Sequence, residues 1–139
     1  MKEVYSLKEK TLPLSFSPHD FVIKNVEITD EYLTFTFEDD ITYHDGIKEL
    51  FPGMRSLILR FHLTDREIGA YRWKKNRFFP KKEGFRRFDE KKLSSLCGRC
   101  FTYLKHYFAY CGVIIYLAAP DTVFLDISAD TVEYEWIEA

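Results

Sequence analysis

The feature that most constrains the fold is a period of two in the apolar residues, repeated in short segments along most of the chain. Leu33, Phe35 and Phe37 alternate with Thr34, Thr36 and Glu38. Leu57, Leu59, Phe61 and Leu63 form an apolar row with Arg60 and His62 between them. Val113, Ile115 and Leu117 follow the same rule, as do Val123, Leu125 and Ile127 and then Val132, Tyr134 and Trp136. Successive side chains of a strand point to opposite faces, so each segment reads as a half-buried strand. Phe21 and Ile23 are followed by Val26 and Ile28, a parity switch near Lys24 and Asn25 that a β-bulge would produce. Thr29-Asp30-Glu31, Asp45-Gly46, Pro52-Gly53 and Ala119-Pro120-Asp121 are suited to turns. Connections this short favour antiparallel neighbours.

One segment departs from that period. Asp89 is suited to a helix N-cap, and after it Leu93, Cys97, Cys100, Leu104, Phe108 and Cys111 fall on one side at about 100° per residue. Ser94, Ser95, Arg99, Thr102 and His106 fall elsewhere, and Gly112 would stop the helix in a left-handed cap. The expectation is an α+β fold: a twisted antiparallel sheet of about six to seven strands with one long helix, about 89–110, on one face. The aromatic run FTYLKHYFAY leaves a strand as the alternative for its second half.

At 139 residues the chain is expected to form a single domain, 1–139, with a core built on thirteen Phe, nine Tyr and two Trp. The N-terminal MKEVYSLKEK lacks the apolar stretch of a signal peptide, and Val113 to Ala119 is too short to span a bilayer. Three cysteines without framework spacing fit reduced thiols. Together these imply a cytoplasmic protein that does not engage the membrane.

Charge divides the chain into three. Arg72 to Lys92 holds ten Lys/Arg against three Asp/Glu, a local +7, whereas the segments before and after it carry −5 and −4. The candidate binding residues are Arg72, Trp73, Lys74, Lys75, Arg77, Lys81, Lys82, Arg86 and Arg87, interleaved with Tyr71, Phe78, Phe79, Phe85 and Phe88. A loop around Pro80 and Gly84 would make them a protruding hairpin. Cations neutralise phosphates and aromatics stack on bases, so the block suits single-stranded nucleic acid. It equally suits a hairpin whose aromatics pack inward while Lys and Arg stems reach water. Asp126, Glu133 and Glu135 would line an acidic sheet face.

Cys97, Cys100, His106 and Cys111 have the spacing C-x2-C-x5-H-x4-C, one residue away from a zinc knuckle. The intervening FTYLK and YFAY want a core, and on a helix His106 would lie opposite Cys97. The reading preferred over zinc is three buried cysteines, with no cofactor. CGRC also looks like a thioredoxin-type dithiol, but Cys97 would sit two turns inside the helix rather than at its N-terminus. His19-Asp20 and His44-Asp45 resemble the paired ligands of metal-dependent phosphohydrolases, though both lie at strand or turn edges. The sequence assigns no catalytic residue. An enzyme built on His19, His44 or His62 requires two of them to converge in a pocket with a carboxylate.

The segment HDFVIKNVEITDEYLTFTFED, His19 to Asp39, and the closing DISADTVEYEWIE, Asp126 to Glu138, resemble the beginnings and ends of small uncharacterised bacterial families. Some of these are immunity proteins against polymorphic toxins. The resemblance implies an α+β or β-rich fold and no catalytic residues, and the first expectation is a small cytosolic, non-enzymatic protein that binds a protein partner. An immunity-type inhibitor would act through charge complementarity, its acidic face entering the phosphate groove of a nuclease toxin. The alternative is a nucleic-acid-binding module working through residues 72–92.

Overall fold

The computed structural model describes residues 1–9, 16–75, 78–79, 83–98 and 100–139. Nine strands are present among them: β1 (Lys2–Ser6), β2 (Phe21–Ile28), β3 (Tyr32–Phe37), β4 (Met54–Leu63), β5 (Gly69–Lys74), β6 (Gly84–Arg87), β7 (Thr102–Ala109), β8 (Gly112–Ala118) and β9 (Thr122–Glu138). A one-turn helix, α1 (Ile47–Leu50), and a 3-10 helix, Glu90–Leu96, complete the described elements. Every strand pairing is antiparallel.

Six strands close into a barrel in the order β4-β3-β2-β7-β8-β9, with β9 returning to pair with β4. Two bent strands make the closure possible. In β9 the residues Thr122–Ser128 pair with β8, and the residues from Ala129 onward pair with β4. Its buried side passes from Val123, Leu125, Ile127 and Ala129 to Val132, Tyr134 and Trp136, with a register shift against His62 and Leu63. An extra residue at that point bends the strand and preserves its inward face on both sides of the bend. In β2 the shift lies between Ile23 and Asn25, the position expected from the parity switch. At the start of β2, before that shift, Phe21 and Val22 pair with β7.

The inward rows of these strands fill the barrel. Leu33, Phe35, Phe37, Leu57, Leu59, Phe61, Tyr103, Ile115, Leu117, Leu125 and Val132 are fully buried. Phe35 meets Phe61 and Tyr103 edge-on, at ring distances of 6.4 and 5.4 Å. At one end Phe51 stacks on Trp136 at 3.9 Å, and Phe16 leans on both rings. β1 lies against β9 outside the ring, while β5 and β6 extend the sheet beyond the other edge of β9.

The long helix over 89–110 does not form, so the α+β expectation is corrected to a mostly β barrel. Asp89 does cap a helix, its carboxylate accepting from the Lys91 N–H at 3.0 Å. That helix is 3-10 in type and ends at Leu96, where Cys97 is already extended. Gly98 and Cys100 adopt left-handed backbone, and from Thr102 the chain is strand β7, paired along its length with β8. Aromatic and β-branched residues favour this state once a neighbouring strand is available, whereas an isolated helix would have shown them to water on several sides. Leu93 and Leu96 still reach the core, packing the short helix against β2. The left-handed turn residue is Cys111 rather than Gly112, which opens β8.

Candidate binding face

The outer side of the β6-β5-β9-β8-β7 sheet carries a row of side chains that the strand register puts side by side. Arg87 pairs with Tyr71, Tyr71 with Phe124, Phe124 with Tyr116, and Tyr116 with Lys105. Three rings are therefore flanked by a cation at either end, over about 19 Å at the usual interstrand spacing. Phe124 stands at the centre. It stacks on Tyr71 at 4.7 Å, meets Phe85 edge-on at 4.8 Å and lies 6.0 Å from Tyr116. Trp73 continues the cluster through Phe85 at 5.3 Å, and Tyr107 through Tyr116 at 5.9 Å. Lys105 sits over the Tyr107 ring at 5.3 Å.

These rings alternate with buried residues on the same strands, so the barrel core has already been filled from the other face. Tyr71 follows buried Ala70, and Phe124 lies between buried Val123 and Leu125. Gly69 helps to shape the row: a methyl group there would come within 3.1 Å of the Tyr71 ring. Carboxylates also border the face. Glu67 accepts from Arg87 at 3.1 Å, and exposed Asp126 lies opposite Gly69.

The residues of the basic block separate into distinct roles. Arg72 is half-buried and donates to the Ala119 carbonyl at 2.9 Å, tying the β8–β9 turn to β5. Trp73 joins the aromatic cluster, and Arg87 ends the row. Lys74 and Lys75 are exposed, as is Arg86, whose register position puts it on the side opposite Phe85 and Arg87. Arg77, Lys81 and Lys82 lie outside the described residues, as does Arg99. The reading from charge alone missed Tyr107, Tyr116, Phe124 and Lys105, which belong to this face but come from β7, β8 and β9. Phe124 and Tyr116 were legible as outward positions in alternating strands; what was missing was which strand each would lie beside.

The acidic residues of β9 are differently placed. Arg60 on β4 donates to Glu133 at 2.9 Å and to Glu135 at 2.6 Å, so both carboxylates are engaged within the fold. That hydrogen bond holds the Glu135 carboxyl below its ordinary range. Asp126 is separate, beside the aromatic row.

Cys97, Cys100, His106 and Cys111 do not assemble. Cys97 ends the 3-10 helix, Cys100 is exposed beyond it, and Cys111 forms the β7–β8 turn. His106 is directed into the barrel, where the Tyr103 hydroxyl meets its Nδ1 at 2.7 Å. Among the described residues no three His, Cys, Asp or Glu side chains are placed to hold a metal ion. Burial pushes the Cys97 thiol up, the opposite of what an attacking thiolate needs.

Of the remaining histidines, His62 lies away from the others, its Nδ1 2.7 Å from Asp130. His19 and His44 come together, each with its following aspartate, around one cleft. His44 is anchored at Nε2 by Glu38, at 3.1 Å.

No protein-family model matches the chain, nor does any curated protein or solved structure. Among the described residues, no helix is long and apolar enough to cross a membrane.

Proposed function

We propose that this protein is a binding module for single-stranded nucleic acid, engaged on the outer face of the β6-β5-β9-β8-β7 sheet. The observation that carries the proposal is the five-residue row, Arg87-Tyr71-Phe124-Tyr116-Lys105, which places three aromatic rings between two cations. Bases are stacked by such rings without regard to sequence, and the cations neutralise the phosphates beside them. A duplex hides its base faces, so single strands are the preferred ligand.

The immunity-type reading needs an acidic surface, and Glu133 and Glu135 are already engaged by Arg60. The aromatic face gives a protein partner a place to dock as well, through the rings that commonly anchor interfaces. Fluorescence anisotropy with labelled 12-nucleotide single strands and the matching duplex separates these ideas. The expected result is preferential binding of single strands that weakens steeply from low to moderate salt. Tyr116→Ala or Phe85→Ala should cost about 1–3 kcal/mol each. Absence of single-strand binding at low salt overturns the proposal, and capture of an acidic protein on the same face would replace it.

A further inference from the structure

We propose that the free edge of β1 pairs with β1 of a second copy of this chain, joining two molecules through one continuous antiparallel sheet. The edge is separate from the aromatic face, to which β1 contributes no residue.

β1 is paired on one side, by β9, and among the described residues no strand lies along its other side. The hydrogen bonds at its two ends show which residues face outward. Met1 exchanges both backbone bonds with Trp136, at 3.1 and 2.8 Å, and the Leu7 N–H donates to the Asp130 carbonyl at 2.8 Å. Antiparallel strands alternate between pairs that exchange these bonds and pairs that do not, so Glu3 and Tyr5 bond to β9. The N–H and C=O groups of Lys2, Val4 and Ser6 therefore point away from it. Val4, at the centre, is 60 % exposed.

A row of outward backbone groups is a template for another strand, and edges are commonly blunted by charged side chains or short length. The outer edge of the opposite sheet follows that rule: β6 has four residues, of which two are Arg86 and Arg87. β1 has no such guard at its centre, where a β-branched, uncharged side chain stands instead.

The side chains of β1 select a second copy in one register. The outward groups belong to even-numbered residues, so bonded registers set even residues opposite even ones. Setting Lys2 opposite Val4 of the second copy brings the two Glu3 carboxylates face to face and leaves Ser6 unbonded. Setting Val4 opposite Ser6 brings Lys2 toward Lys8 and leaves Lys2 unbonded. Like charges in directly opposed positions disfavour both. Setting Val4 opposite Val4 avoids them, and Lys2, Val4 and Ser6 each give and receive a backbone bond. Glu3 then lies opposite Tyr5 of the second copy. The Tyr5 hydroxyl already donates to Glu3 at 2.6 Å, and its ring is held edge-on by Tyr134 at 5.8 Å. Each Glu3 carboxylate of the pair thus has a phenol on its own strand and another across the junction.

The test is sedimentation velocity of the full chain over a range of concentrations, together with residue-by-residue amide exchange. The expected result is a reversible dimer that grows with concentration. Exchange of the Val4 amide should slow as the dimer forms, while the Glu3 and Tyr5 amides, bonded to β9 in either state, stay slow throughout. Val4→Lys sets two ammonium groups opposite each other and should weaken the dimer about fivefold or more. Val4→Thr keeps a β-branched, uncharged side chain and should hold the affinity within about threefold. Both changes fall on an exposed position, so the fold is retained. A chain that stays monomeric up to about 1 mM overturns the proposal. So does a dimer whose Val4 amide exchanges as fast as the monomer's, or one that Val4→Lys leaves unchanged. Phe124→Ala should leave the dimer intact; its loss in that variant would place the contact on the aromatic face and overturn the β1 pairing.

Discussion

The Tyr103 hydroxyl and Nδ1 of His106 lie 2.7 Å apart in hydrogen-bond contact inside the barrel. Burial raises Tyr103 well above its ordinary value, so its hydroxyl keeps its proton. Burial also lowers His106 to about 4, so the imidazole is neutral at pH 7. The stacked Phe108 ring, 4.3 Å away, adds to the apolar surroundings that disfavour a charge there.

This pair makes part of the stability acid-labile. His106 binds its proton more readily unfolded, near pH 6.5, than folded, near pH 4. The contribution is fully present above about pH 6.5 and is lost as pH falls from there toward 4, amounting to about 2–3 kcal/mol. Urea denaturation at pH 7 and at pH 4 should show that difference, and His106→Phe should reduce it. An unchanged difference in the variant would show that other groups are responsible.

Arg60 holds two carboxylates together on the outside of the barrel. Replacing it by Met leaves Glu133 and Glu135 side by side with their shared cation gone. A loss of about 1 kcal/mol is expected, since all three groups are partly open to water. The folded Glu135 carboxyl is lowered by Arg60, so its contribution is present above about pH 4.3 and fades as pH falls further. Arg60→Met should flatten that part of the pH–stability curve, and adding Glu133→Gln should recover part of the loss.

Phe35 touches Phe37, Phe61 and Tyr103 and has no exposed surface. Phe35→Ala opens a cavity in the middle of the barrel and should cost about 3–5 kcal/mol in chemical denaturation. A cost below about 1 kcal/mol would mean that the barrel collapses readily around the gap.

Trp73 reports on the proposed binding face. The chain has two tryptophans, and Trp136 is buried at 2 % exposure in the far aromatic cluster. Single-stranded oligonucleotides should quench the fluorescence of Trp73, and Trp73→Phe should abolish the quenching while the signal from Trp136 remains. Quenching that survives in the variant would place the oligonucleotide elsewhere.

Gly69→Ala tests the geometry of the same row. The added methyl meets the Tyr71 ring at 3.1 Å, so the stack of Tyr71 on Phe124 must shift by a few tenths of an ångström. Oligonucleotide affinity should fall by about threefold or more, for a stability change of about 1 kcal/mol or less. Unaltered affinity would show that the row need not keep this spacing.

The sequence by itself determined which segments are strands wherever alternation was clean, as in Leu33-Phe35-Phe37 and Leu57-Leu59-Phe61. It also located the bulge in β2 and the cap at Asp89. These features are local: a period of two, a parity switch and a carboxylate at a helix start each have a signature within a few residues. The identity of Thr102–Ala109 was decided only by the tertiary structure. Its apolar residues fit either period over that length, and the pairing with β8 selected the strand. Barrel closure was likewise illegible, because it depends on β9 leaving β8 and pairing with β4, about seventy residues away in the chain. The aromatic row and the double-histidine cleft share that cause. Each is made of outward or turn residues from separate segments, and only the register of the closed sheet sets Phe124 beside Tyr71 and Tyr116, or brings His19 near His44.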